Sequence, residues 1–198
     1  MYRAGAVVSP AADAKRSGAA TPAPAYPTGV VFTLEPGLCV VAQAIGLLRQ
    51  ASAIGDMRRN AFDGDDVGSH CLGAHGELAG SIAGRIFYHP RVGRIDCRDL
   101  GRLEVRTRPP KAPPPLDHLW NDLPIEPKDP DDAPVVLVYG PPPHMTFVGW
   151  IVAEEGRRVA TVARFIYGRR VRFVPPQKLH RFDPATLGAT LRRLAGEA

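Results

Sequence analysis

The chain has 198 residues, 44% of them hydrophobic, and carries a formal charge of +5 with a pI near 9.4, enough length and apolar content for one domain with a core. The charge suits a polyanionic partner, but Lys15, Lys111, Lys128 and Lys178 are the lysines and the other basic residues are arginine amid much Ala, Gly and Pro, a GC-rich codon bias that weakens the charge argument. Cys39, Cys71 and Cys97 are far apart with no Cys-x-x-Cys, which excludes a disulfide framework and a zinc ribbon, and no uninterrupted apolar run of about 18 residues marks a membrane span.

Residues 1–27 are mostly Ala, Pro, Gly and Ser, with too few large apolar groups to offset the entropy of ordering them, so a disordered tail is expected there. The start MYRAGAVVSPAADAKRSG also lacks the apolar core of a signal peptide, so a soluble cytoplasmic protein is expected, in the host cytoplasm if phage-encoded, with no membrane partner. A single domain then occupies 28–198. It opens with the apolar run GVVFT, and Glu35-Pro36 introduces a helix from Gly37 to about Arg59. Leu38, Val41, Ile45, Leu48 and Ser52 give its expected buried stripe, and Arg49, Arg58 and Arg59 fall toward its C-terminal half.

AFDGDDVGSH reads as a loop, and a second helix is expected from Leu72 to Phe87, with Leu78, Ile82 and Ile86 as its stripe and Glu77 near its start. Ala79, Gly80, Ala83 and Gly84 cost helix propensity but would let this helix sit close on a sheet. His70, Cys71, His75 and Glu77 match no closed zinc spacing and read as a polar helix start around one packed thiol.

Ile95 to Thr107 is a hairpin candidate. Within DLGRLEVRT, strand alternation puts Leu103, Val105 and Thr107 on one face and Glu104 and Arg106 on the other, and a turn at Gly101 would bring Asp99 back beside them. RPPKAPPPLDHLW is too rich in proline for regular structure. LPIE is a short strand, PKDPDDAP a solvated acidic turn without the glycine and distal glutamate of a calcium loop, VVLVYG a buried strand and MTFVGWIV its hairpin partner. VATVARFIYG is ambiguous, VRFVP is strand-like, and Asp183-Pro184 caps a C-terminal helix over 184–195 with Leu187, Leu191 and Leu194 on one face. The order of elements indicates an α/β (α+β) fold, a mixed central sheet flanked by helices.

Glu77 on a helix, Asp99 at a turn and Glu104 on a strand give three carboxylates that one fold could gather. Hard divalent cations such as Mg²⁺ take one or two carboxylates together with water and phosphate oxygens, and use them to activate water on a phosphodiester. Arg106, beside Glu104, would then contact a phosphate. Arg108, Arg169, Arg170 and Arg172, the last three interleaved with Phe165, Tyr167 and Phe173, are the candidates for nucleic-acid contact.

GAHGELAGSIAG followed by RIDCRDLGRLEVRT resembles the core of the PD-(D/E)XK nuclease superfamily, in which a helix bearing a glutamate precedes an Asp and then a Glu-x-Lys strand. A helix with Arg49, then GELA, DLGRLEVRTR, DPDDAPVVLVYG, VGWI and the late FVP, in that order over about 33–180, are similar to small uncharacterised bacteriophage and prophage proteins of this type. The resemblance implies a restriction-endonuclease-like core and a Mg²⁺- or Mn²⁺-dependent endodeoxyribonuclease acting on DNA. Asp99 and Glu104 match the metal-binding carboxylates, Glu77 the helix glutamate and Arg106 the place of the lysine. Asp96 is an alternative to Asp99. Arginine stays protonated, so Arg106 can hold a phosphate but cannot act as a base. The second reading is therefore a nuclease-fold module that binds nucleic acid or a protein partner without cutting, and the oligomeric state is left open, a homodimer included.

Overall fold

The computed structural model describes residues 29–55, 66–90, 92, 98–109, 121–166 and 169–197. The expected N-terminal tail, Arg58, Arg59, Asp96, Cys97, Tyr167 and the proline-rich segment over 110–120 lie outside the described residues. The fold is a mixed α/β arrangement of four helices and two sheets.

The larger sheet has four strands in the order β1 (Val30–Thr33), β5 (His144–Val152), β4 (Pro134–Tyr139), β2 (Glu104–Arg108). β1 and β4 run antiparallel to β5, and β2 runs parallel to β4 with Glu104 opposite Val135 and Arg106 opposite Leu137. Every residue of β4 is buried. Its alternate side chains enter two different cores: Val136 and Val138 face the helices, while Val135, Leu137 and Tyr139 face the second sheet. A strand covered on both faces has no polar side to show, which is why VVLVY is continuously apolar.

α1 (Pro36–Gly55), α2 (Asp66–Gly84) and α4 (Leu187–Ala195) cover one face, with Leu34, Leu100, Leu103, Met145 and Phe147 almost fully buried between them and the sheet. Each such side chain contributes about 1.5–3 kcal/mol by leaving water. On the other face lies a second sheet, in the order β3 (Leu123–Ile125), β7 (Arg169–Val174), β6 (Val162–Ile166), with the short helix α3 (Ala153–Val159) beside it.

Several local expectations are corrected. α2 begins at Asp66, so the second half of AFDGDDVGSH is helix, and it ends at Gly84, which leaves Ile86 buried beyond it and Ile82 36% exposed. Glu77 therefore sits past the middle of α2, where the helix dipole gives no reason for an acidic residue. Glu104–Arg108 pairs in parallel with β4; the local pairing of the expected hairpin is reduced, among the described residues, to one bridge between Leu100 and Leu103 around Gly101 at φ +57°. Residues 159–166 of the ambiguous stretch resolve as the end of α3 followed by β6. At the C-terminus Asp183 caps a turn, its Oδ1 accepting from Ala185 N at 2.9 Å, and α4 starts one turn later than expected.

α1 follows its expected stripe in part. Ile45 is buried and Leu38 packs against the core as expected, but Val41 and Leu48 are 48% and 56% exposed, and Ala42 and Ala53 face the core in their place. By length and composition Pro36–Ile54 is apolar enough to cross a membrane, and only 22% of it is buried. Its single charged residue, Arg49, points inward toward α2.

Two close approaches place the helices. A Cβ at Gly46 would lie 2.4 Å from Cys71 Cα, so α1 and α2 touch backbone to backbone; a Cβ at Gly76 would lie 1.9 Å from Thr107 Oγ1, so α2 rests directly on β2. The second contact puts Glu77 over the strand that carries Glu104 and Arg106.

Candidate functional site

Five parts of the chain converge at the edge strand β2. α1 supplies Arg49, whose Nη1 and Nη2 donate to Glu77 Oε1 and Oε2, both at 2.6 Å. Glu77 comes from α2 and is only 5% exposed. Tyr88, on the segment after α2, donates its hydroxyl to Glu77 Oε2 at 3.2 Å. Burial and the nearby Glu77 charge raise the Tyr88 pKa well above the usual phenol value, so the hydroxyl stays a donor. Burial would lower the pKa of Arg49, but its bonds to Glu77 outweigh that and the guanidinium holds its proton more tightly than usual.

Asp99 is set by the turn after it. Its Oδ2 accepts from Val105 N at 2.7 Å, and the turn is fixed to the end of α4 by Arg102 N, which donates to Ala195 O at 3.0 Å. Arg106 Nη1 donates to Glu104 Oε2 at 3.1 Å and lies 3.9 Å from Asp99 Oδ2, while Nη2 donates to Asp129 Oδ1 at 2.7 Å. The Glu104 and Arg106 side chains are 13% and 16% exposed, so this strand face is not a solvated one.

Asp129 corrects the reading of DPDD as a solvated turn. It is 3% exposed, its Oδ2 accepts from Glu126 N at 2.8 Å, and Arg157 of α3 donates to the carbonyls of Glu126 and Asp129 at 3.3 and 3.1 Å, fixing the loop that delivers it. Arg49, Tyr88 and Asp129 were not among the sequence candidates. Arg49 could have been suspected as the one charge on an apolar helix. Nothing local distinguishes Asp129 from Asp131 and Asp132.

The site is rich in negative charge. Among the described residues Glu77, Asp99, Glu104 and Asp129 gather around Arg49 and Arg106, with the Lys128 charge also acting on Glu104. Burial raises the pKa of Asp99 well above the carboxylate range, and the charges of Glu77 and Glu104 raise it further against the opposing pull of Arg106 and the Val105 N–H. Glu104 shifts the same way, through burial first and Asp129 second, with Arg106 opposing. Glu77 and Asp99, 22 positions apart in sequence, are thus near enough for one charge to act on the other. Arg49 Nε and Arg106 Nε are both buried with no hydrogen-bond acceptor among the described residues.

The arginines expected to contact nucleic acid divide into two groups. Arg169 is exposed, 4.0 Å from Glu126 Oε2, and Arg170 is exposed beside it. Arg172 turns back to the Arg157 carbonyl. Arg108 is a correction: it is 8% exposed, its guanidinium lies over the Phe173 ring at 5.7 Å, and burial lowers its pKa to about 10. It packs the two sheets together and does not face an external phosphate.

Among the described residues no three His, Cys, Asp or Glu side chains are arranged to hold a metal ion together. Both oxygens of Glu77 are taken by Arg49, which leaves Asp99 and Glu104 as the pair with oxygen to spare. No family model, curated protein or solved structure matches the chain.

Proposed function

We propose that the chain is a metal-dependent nuclease that hydrolyses DNA phosphodiester bonds at the cluster of Glu77, Asp99, Glu104 and Arg106. The observation that carries this reading is the placing of Asp99: it lies within reach of the charges of the helix glutamate Glu77 and the strand glutamate Glu104, 3.9 Å from Arg106, at a site where acids outnumber arginines. Such a donor set fits one hard divalent cation, Mg²⁺ or Mn²⁺, which is commonly held by only one or two carboxylates. Asp99 and Glu104 would hold it, and when bound it supplies charge stabilisation at phosphorus and lowers the pKa of bound water.

The chain's own residues do the rest. Arg106 stays charged and, held between Glu104 and Asp129, contributes positive charge beside a bound phosphate. It cannot take a proton, so a proton from attacking water goes to a carboxylate. Glu77, locked by Arg49 and Tyr88, positions the helix and contributes negative charge. Exposed Arg169 lies beside Glu126, three residues from Asp129, where the backbone of a bound strand would pass, and exposed Arg170 follows it on β7.

The second reading is a nuclease-fold module that binds DNA without cutting it. It is favoured by the engagement of Arg106 with both Glu104 and Asp129, which holds in an internal ion-pair network the position where the resembled superfamily has lysine. Incubation of the protein with supercoiled plasmid and single-stranded DNA in Mg²⁺ or Mn²⁺ separates the two. Cleavage stopped by chelator and lost in Asp99→Ala and Glu104→Ala is expected for the enzyme. Binding without cleavage in both metals, unchanged by the variants, would establish the module.

A further inference from the structure

The outward face of α1 has an order that no contact among the described residues explains. Gly37, Val40, Ala44, Leu47, Ala51 and Ile54 follow one another at alternating spacings of three and four residues, and all six are exposed. Val40 is 70%, Leu47 49% and Ile54 66% exposed, flanked by Val41 and Leu48. This is a heptad seam, and it carries no charge, because the one charged residue of the helix is turned inward to Glu77. Large and small residues alternate strictly along it: Val40, Leu47 and Ile54 at one seam position, Gly37, Ala44 and Ala51 at the other.

That alternation is self-complementary in one orientation only. In a parallel pair, each residue meets its own copy, so layers of two large residues alternate with layers of two small ones and the helices cannot keep one separation. In an antiparallel pair with the two helices fully overlapped, Val40 faces Ala51, Leu47 faces Ala44 and Ile54 faces Gly37 of the other copy. Every layer then holds one large and one small side chain.

We propose that α1 is the contact of a two-fold symmetric homodimer, in which the outward faces of two copies pack antiparallel along Gly37–Ile54. The area suffices. Five exposed aliphatic side chains leave roughly 500 Å² per copy open to water, so pairing removes about 1,000 Å² in all, the lower bound of a specific interface. The same patch on a monomer would lie at the upper end of what soluble proteins expose. A two-fold contact uses one patch twice and needs no second complementary surface, as this seam requires.

Sedimentation equilibrium of the full chain over a concentration series tests the proposal. A mass of twice 21.3 kDa is expected, with Leu47→Glu weakening association by 100-fold or more, because each dimer loses two buried leucines at about 1.5–3 kcal/mol apiece. Circular dichroism controls for folding. If Leu47→Glu does not fold, Ala44→Leu provides the second variant: it adds apolar surface but places two large residues in one layer, and must also weaken the dimer. On a background with Cys39, Cys71 and Cys97 replaced by Ser, mixing Ala44→Cys with Leu47→Cys protein should yield a mixed disulfide pair. A parallel pair would instead cross-link Leu47→Cys with itself. A monomer throughout the series, or a dimer indifferent to both variants, overturns the proposal. So does protection of the face by residues 1–28, seen as new Leu47→Cys reactivity on their deletion, or flotation with lipid vesicles that Leu47→Glu abolishes.

Discussion

Arg49 and Glu77 are joined by two hydrogen bonds of 2.6 Å between neighbouring helices, with side chains 15% and 6% exposed. A fork of two parallel bonds at that depth fixes the rotation of α1 on α2 as well as their contact. Arg49→Met leaves a buried carboxylate with only Tyr88 as partner and should cost about 3 kcal/mol. Adding Glu77→Leu should return most of that loss. Urea unfolding of the single and double variants measures both, and a double variant no more stable than Arg49→Met would contradict the assignment.

Gly76 should be intolerant of any side chain. A methyl there meets Thr107 Oγ1 at 1.9 Å, so Gly76→Ala must push α2 off β2, at a cost of about 1–3 kcal/mol. Gly73, one turn earlier on the same helix, has nothing within 4 Å of a built Cβ, and Gly73→Ala should stabilise by about 1 kcal/mol. Melting temperatures moving in opposite directions are expected.

Much of this arrangement is legible in the sequence, and the exceptions share a cause. VVLVY, MTFVGWIV and VRFV are readable because strands covered on one or both faces show it in their own alternation. The turn at Gly101, the small-residue face of α2 and the helix after Pro36 follow from local chemistry too. The buried face of α1 is misread at Val41 and Leu48 because several of its aliphatics, Leu47, Leu48 and Ile54 among them, point outward and its one charge inward. Asp129 is misread because its burial depends on Arg106, 23 residues away, and on Arg157, 28 residues on. Long-range ion pairs leave no periodic trace.

Asp99 should make stability depend on pH with a definite sign. Its folded pKa lies above the unfolded value of about 3.9, so the stability its protonated form contributes is full below that value and is lost as pH rises through the folded pKa. In chelator, Asp99→Asn should therefore gain stability over the parent progressively as pH rises above the unfolded value. Mg²⁺ should raise the melting temperature of the parent more at higher pH. A parent-to-variant difference flat in pH would refute the burial and charge argument.

Arg106 spans Glu104 and Asp129 with two nitrogens, which a lysine cannot do from one. Arg106→Lys should lower stability by about 1–2 kcal/mol yet keep DNA cleavage within about ten-fold of the parent, while Arg106→Ala should lower cleavage about 100-fold through loss of charge stabilisation. Initial cleavage rates, with unfolding curves for each variant, decide this.

The central claim is that Asp99 and Glu104 hold a divalent cation, and Mn²⁺ titration followed by electron paramagnetic resonance tests it directly. One Mn²⁺ per chain, displaced by Mg²⁺ and lost in the folded Asp99→Asn, Glu104→Gln double variant, is the expected result. Equal Mn²⁺ binding by parent and double variant, or none by either, would contradict it.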